Sequence, residues 1–397
     1  MDRAEIGRDG LLTTALRRDL VRAKLLAWFR RQRRQLPWRG TRDPYRIWVS
    51  EVMLQQTTVE AVRGRYEAFL RRFPDLPALA RATEEQVLAA WSGLGYYARA
   101  RNLRRAARDV MERHAGRLPR NPEALRALAG FGEYTASAVA SLAFGAREPA
   151  ADANVTRVLS RLDAISGTAG SRAHTRAVKT RAGALVARGR PGDVTAALMD
   201  LGQLVCLPKR PVCGECPVAS LCVARRRGAV ARFPRRKPRP AVSRVHVAAA
   251  CAVRRGAALL VRSDAALLGG LWQFPSAEGR SAAAALRGLG RALAGLGLEV
   301  DPGAVPAVTQ HTIVHRRLEI RVYGARDARR SKLEIRNSKL LRWFTAARLE
   351  TAAIPTLTRR IAAAAGFRAA PGARILGAHE ESRVVPARRR GARRASR

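Results

Sequence analysis

No apolar run in the 397 residues approaches the roughly 20 that a membrane-spanning helix requires, which excludes such a span. The opening stretch "MDRAEIGRDGLLTTALRRDL" lacks the apolar core of a secretory signal. A cytoplasmic, nucleoid-associated location is therefore expected, with cysteines kept reduced and free to bind metal. Lysine is scarce, with six against sixty-nine arginines, and acidic residues number only 31, leaving a net charge of +44. This balance points to a polyanionic partner. An arginine and alanine excess is also the mark of a GC-rich coding sequence, so charge alone does not decide.

What is there begins with cysteine. Four of the five lie in "CLPKRPVCGECPVASLC", as Cys206-x6-Cys213-x2-Cys216-x5-Cys222. Four thiolates hold zinc or an iron–sulfur cluster. Zinc sites usually pair two Cys-x2-Cys units across a longer loop. Here one pair is tight and the other ligands sit on single loops, an enclosure better suited to a cube of iron and sulfide. Four unliganded buried thiols is the bland alternative. Cys251 stands apart and reads as a core residue.

Upstream, residues 20–205 carry no strand alternation and read as an all-α domain. Thr83 and Gln86 form a capping box. Asn121 and Pro122 open another helix, with Gly130 at its end. Asp43-Pro44 starts a third, with apolar positions running from Ile47 through Phe69. "LAGFGEYTASAVASLAFG" is a helix, a Gly-x-Gly turn and a second helix. Gly130 and Gly132 permit positive φ there, and the second helix aims free N-terminal amides outward, as a phosphate requires.

Several segments together resemble the MutY-type adenine DNA glycosylases of the endonuclease III, helix–hairpin–helix superfamily. They are "PWRGTRDPYRIWVSEVMLQQTTV", "WSGLGYYARARNL", the Gly-x-Gly hairpin, "DANVTRVLSRL" and the cysteine loop, spanning about Arg31 to Cys222. The resemblance implies a [4Fe–4S] cluster on Cys206, Cys213, Cys216 and Cys222, with Lys209 and Arg210 presented to phosphate. It makes Glu51 the acid that protonates adenine N7. On the residues alone, a glutamate among Val49, Val52, Met53 and Leu54 is either desolvated, with a raised pKa, or an exposed helix residue. Asp152 reads as an N-cap, and the resemblance adds stabilisation of an oxocarbenium-like sugar. Asn154 matches a residue that places the catalytic water. Tyr134, otherwise a packing residue, stands where the lyase branch has a nucleophilic lysine, which implies a monofunctional enzyme. Trp38 and Arg39 match the adenine pocket wall. Gln56, Thr57, Leu94 and Tyr96 match residues that wedge into the duplex or touch the opposite base.

Two positions depart from the pattern. Ala196 stands where the family commonly has Gln or Glu facing the adenine amino group. In "TQHTIVHRR", Ile313-Val314-His315 replaces Phe-Ser-His, so a lesion-facing hydroxyl is missing while His315 remains. This loop belongs to a C-terminal α+β region whose "GGLWQFP" resembles a Nudix-like domain. "SAAAALRGLGRALAGLGLEV" has one glutamate where a hydrolase needs a cluster, so recognition is expected there instead of hydrolysis.

The expected organisation is an N-terminal tail (1–19), an all-α helix–hairpin–helix glycosylase domain with a [4Fe–4S] loop (20–223), a basic linker (224–242), an α+β Nudix-like lesion-recognition domain (243–366) and a disordered basic tail (367–397). The expected activity is monomeric, monofunctional excision of adenine opposite 8-oxoguanine, or guanine, in double-stranded DNA. The alternatives are a glycosylase for another mispaired base and a non-catalytic lesion-binding protein.

Overall fold

The computed structural model describes residues 14–32, 34–238, 240–262, 268–301, 306–328 and 338–367. Most of the tail expected at 367–397 and the first thirteen residues lie outside them.

The chain forms an all-α domain followed by an α+β domain. Polar side chains set the helix starts. Asp43, Thr58, Asp75, Thr83, Asn121, Asp152 and Ser171 each accept a backbone N–H from the first turn they precede. The helices enclose two cores. One gathers Trp48, Val49, Met53, Trp91, Leu103 and Val139; the other gathers Leu25, Val155, Leu159, Leu185 and Leu198. Helix Pro44–Leu54 belongs to the first core, and helices Ala153–Leu162 and Pro191–Leu204 to the second. The candidate site lies where the two meet.

Three expectations need correction. The helix expected to run on from Asp43 breaks after Leu54, and a second runs from Val59 to Arg72. Gln56 between them has φ +55°, and Thr58 caps the second helix. Only Gly130 of the hairpin glycines uses positive φ, at +77°, and a Cβ there would meet the Asn102 Cβ at 2.7 Å. Gly132, with φ −75°, serves as an N-cap without a side-chain cap, which leaves the amides of helix Glu133–Phe144 open. The segment expected as a linker is fastened to the helical domain. Phe233 O accepts from Arg161 Nε at 3.0 Å, Arg236 Nη2 donates to Pro208 O at 2.6 Å, and Ala169 N donates to Arg235 O at 2.8 Å.

The C-terminal domain is a mixed sheet of β1 (Ser243–Arg254), β2 (Ala257–Arg262), β3 (Trp272–Gln273), β4 (Ser276–Gly279), β5 (Leu298–Val300), β6 (Ala307–Ile313), β7 (Arg316–Asp327) and β8 (Leu341–Thr345). β1 is its centre, parallel to β7 and antiparallel to β2 and β4. Val247, Ala249 and Cys251 face one core, with Ile361; Ala248, Ala250 and Ala252 face another, with Leu289 and Leu293. Burial on both faces explains the unalternating run "VAAACA", residues 247–252. The domain docks on the helical one. Ser92 Oγ and Tyr97 Oη both donate to Ile354 O at 3.0 Å, and Trp272 Nε1 and Arg342 Nη1 converge on Glu85 Oε1 at 3.1 and 3.0 Å.

Helices Ala153–Leu162 and Pro191–Leu204 approach closely at Gly202, where an added Cβ would meet Asn154 Cβ at 2.6 Å and Asn154 Cα at 3.0 Å. Gly202→Ala should therefore destabilise by about 1–3 kcal/mol, measured by urea unfolding against the wild type.

Candidate active site

Glu51 lies on the buried side of helix Pro44–Leu54 and is 6% exposed. Its Oε2 accepts a hydrogen bond from Tyr134 Oη at 2.7 Å. Burial pushes the Glu51 carboxyl up to about 7; the Tyr134 hydroxyl and Arg39 pull it down, and Asp152 pushes it further up. The group is thus poised to hold or release a proton near neutrality. Burial and the neighbouring Glu51 also keep Tyr134 protonated, well above the ordinary tyrosine range.

Glu51 borders two spaces. One is a cavity of about 500 Å³ whose wall includes Trp38, Arg39, Ile47, Ala196 and Asp200. The Trp38 ring is braced edge-on against Tyr66, and the Arg39 guanidinium lies over Phe29 and donates to Asp200 Oδ1 at 2.9 Å. The other is a groove of about 1240 Å³ lined by Gln56, Thr57, Gly130, Gly132, Tyr134, Asp152 and Asn154, among others. Expected pocket-wall residues therefore fall on one side of Glu51, and expected sugar and backbone residues on the other.

Asp152 caps helix Ala153–Leu162 through Val155 N, at 2.7 Å, and its Oδ2 accepts from Asn154 Nδ2 at 2.7 Å. Burial raises its pKa against the pull of these donors. Asn154 Oδ1 in turn accepts from Arg157 Nη2 at 2.8 Å. Arg157 also donates to Gly202 O and Cys206 O, at 2.6 and 2.7 Å, joining the cap to the cysteine loop. One turn on, Arg161 donates to Leu207 O at 2.7 Å and Pro208 O at 3.2 Å, and approaches Cys206 Sγ at 3.4 Å.

Cys206, Cys213, Cys216 and Cys222 line one apolar hollow of about 30 Å³. Among the described residues, no three His, Cys, Asp or Glu side chains are grouped to hold a metal ion. Burial and the other cysteines raise the Cys216 thiol to about 11. Lys209 and Arg210 are exposed on the first loop.

Sequence reasoning missed Arg99. Its guanidinium is buried and donates to Val52 O and Met53 O at 2.9 Å, to Thr57 Oγ1 at 3.1 Å, and to Leu94 O and Gly95 O at 2.9 and 3.0 Å. It thereby fastens the end of the Glu51 helix to both expected wedge loops. Gln55, also missed, ties its loop to the hairpin helix through Thr135 Oγ1 at 2.9 Å. Tyr96 is exposed, with φ +47°, and Arg99 lies against its ring. Leu94, expected at the duplex, is buried in the helical core, so its carbonyl rather than its side chain carries its part in the loop. His315 lies at the tip of the β6–β7 hairpin, exposed, and lines neither the cavity nor the groove. Val314 beside it has φ +55°, an unfavourable conformation for a β-branched residue. Arg157 and Arg161 carried a faint signal, two cations four apart interrupting the apolar face of Val155, Val158 and Leu162.

The chain is similar to known proteins over both domains. The HhH-GPD superfamily of base excision DNA repair proteins matches residues 49–182, and the NUDIX domain matches residues 248–364. A human protein named adenine DNA glycosylase is 34% identical over 86% of this chain and 73% of its own length. Its namesake from Mycolicibacterium smegmatis is 40% identical over 49% of this chain and 67% of its own. The solved structure of a thermostable thymine-DNA glycosylase is 31% identical, with a TM-score of 0.48, over 53% of this chain and 97% of that one.

The buried carboxyl also makes a stability prediction. Because the folded pKa of about 7 exceeds the ordinary 4.5, Glu51 favours folding at low pH and loses that advantage as pH rises through 7. Glu51→Gln does not titrate and keeps an oxygen for Tyr134. Relative to the wild type it should gain about 3 kcal/mol in stability between pH 4 and pH 8, read from urea unfolding at both values.

Proposed function

Because the chain belongs to the adenine DNA glycosylases, enzymes of base-excision DNA repair, we propose that it hydrolyses adenine mispaired with 8-oxoguanine, and less readily with guanine, by a monofunctional route. The observation that carries this reading is Glu51, a carboxyl with its pKa raised to about 7, which borders both a cavity with room for a base and a groove with room for a DNA strand. The flipped adenine would occupy the cavity between Trp38 and Arg39. The strand would follow the groove past the open amides after Gly132, where a phosphate is favoured. Gln56, Thr57 and Tyr96 would fill the space the base leaves.

In this mechanism Glu51 gives its proton to N7. The N-glycosidic bond breaks with its electron pair going to the base, which departs neutral. Asp152, held as an acceptor by Val155 and Asn154, faces the cationic sugar. Water, oriented by Asn154, adds to the sugar carbon and yields its proton to the Glu51 carboxylate. Adenine and an abasic site result, and Tyr134 offers no amine for strand cleavage. Four thiols lining one apolar hollow are the donor set of a [4Fe–4S] cluster, which Cys206, Cys213, Cys216 and Cys222 would hold. Bound there, it would supply a covalent closure of the loop that presents Lys209 and Arg210 to phosphate. The C-terminal domain, docked on the Tyr96 loop, would read the opposite base.

The test is single-turnover excision from duplexes carrying each base opposite guanine and opposite 8-oxoguanine. Adenine opposite 8-oxoguanine should react fastest, and a different preferred base would overturn the reading. With Glu51 as the acid, the rate should fall as pH rises above about 7. Tyr134→Phe removes a donor that favours the charged carboxylate, so the falling limb should move to higher pH.

Val314→Ser restores a hydroxyl at the hairpin tip. It should improve the preference for the 8-oxoguanine duplex over the guanine duplex by roughly three- to tenfold, measured as a ratio of dissociation constants in a Glu51→Gln background.

A further inference from the structure

Adenine presents an acceptor, N7, beside a donor, its exocyclic amino group, on one edge. If the proposed reading holds, Glu51 meets N7. The amino group beside it then needs an acceptor, because a buried donor left unpaired is costly. Ala196, in the cavity wall, has none to give. Asp200 lies one turn further along the same helix, and helical side chains lean toward the N-terminus, so its carboxylate reaches back over the turn that Ala196 leaves bare. Asp200 lines the cavity and is 2% exposed. Its Oδ1 serves both Arg39, at 2.9 Å, and Arg34, at 3.6 Å. Its Oδ2 is buried and has no hydrogen-bond partner among the described residues. Two neighbours in this wall are already engaged: Gln203 Oε1 accepts from Arg34 at 2.6 Å, and the Ser50 hydroxyl donates to Ile47 O. Arg39 holds Asp200, and its charge also lowers the Glu51 pKa.

We propose that Asp200 Oδ2 accepts a hydrogen bond from the exocyclic amino group of the flipped adenine and is a specificity-determining contact of this enzyme. A base with oxygen at that position would set two acceptors against each other and be rejected. In this chain Asp200 therefore does what a glutamine or glutamate at position 196 would otherwise do.

The experiment is single-turnover excision from three duplexes that differ only in the target base: adenine, purine (hydrogen replacing the amino group) and hypoxanthine (oxygen replacing it). Asp200→Asn keeps an oxygen for Arg39 and turns the free acceptor into a donor. It should slow adenine roughly tenfold more than purine and narrow the margin of adenine over hypoxanthine. Equal slowing of adenine and purine would mean that Asp200 only holds Arg39, and would overturn the proposal. Should Asp200→Asn fail to fold, Ala196→Gln decides the matter. With an acceptor already present, the adenine-to-purine ratio should rise by less than about twofold, whereas a tenfold rise would show that the acceptor was missing. A wild-type enzyme that leaves adenine in place would instead refute adenine excision itself, an outcome visible before any variant is compared.

Discussion

The buried guanidinium of Arg99 fixes the geometry on which the site depends. A helix ends with carbonyls that have no partner within it, and the helix bearing Glu51 ends beside two loops that have no regular structure of their own. Arg99 answers both needs, meeting Val52 and Met53 at the helix end, Thr57 in one loop, and Leu94 and Gly95 in the other. A lysine has three donors radiating from one point; arginine's planar fork reaches several carbonyls in different directions. Burial lowers the Arg99 pKa to about 10, which leaves it charged at neutral pH, and the carbonyl dipoles, with Trp91 and Tyr96 against the guanidinium, take the place of a carboxylate. Arg157 and Arg161 repeat the device, joining the Asp152 helix to the cysteine loop.

This fastening lets the site hold an arrangement unfavourable by itself. Glu51 is buried and Asp152 half-buried, desolvation raises both in pKa, and the Asp152 charge pushes Glu51 further up. Their donors differ. Asp152 receives a backbone N–H and an amide, both favouring its charged form against burial, whereas Glu51 receives a single phenol and is raised to about 7. In the proposed mechanism this difference divides the two carboxyls into a proton carrier and a stabilising anion.

Much of the frame was legible because it rests on local chemistry. Thr83 with Gln86, Asn121 with Pro122, and Asp43 with Pro44 mark helix starts that depend only on neighbours in the chain. The break at Gln55–Thr58 was hidden because the apolar spacing continues across it; only the cap at Thr58 hinted at a new start. The buried arginines were harder still. Sixty-nine arginines look alike in a sequence, and what distinguishes Arg99 is a set of carbonyls up to 47 residues away. Long-range partners also separate Asp152 as a cap, which its neighbours reveal, from Asp152 as one of two facing acids, which they do not. The exposed Tyr96 and the buried Leu94 sit two residues apart in a segment whose glycines, Gly93 and Gly95, both adopt positive φ, so no helical or strand period could assign their faces.

That segment is also where the two domains become one machine. Between Trp91 and Arg99 the chain gives its carbonyls at Leu94 and Gly95 to Arg99 on one side, while Ser92 and Tyr97 grip the Ile354 carbonyl of the C-terminal domain on the other. Tyr96 projects between these two attachments. A ring held only by its own loop would swing with it. Here the loop is pinned from both domains, so a displacement of the C-terminal domain must either break the Ile354 contacts or move the segment that carries Tyr96. Arg99, bonded to the same segment, also holds the end of the Glu51 helix through Val52 and Met53. From the Ile354 loop of one domain to the Glu51 helix of the other, every link outside the chain itself is a hydrogen bond to a backbone carbonyl, which side-chain repacking alone cannot replace.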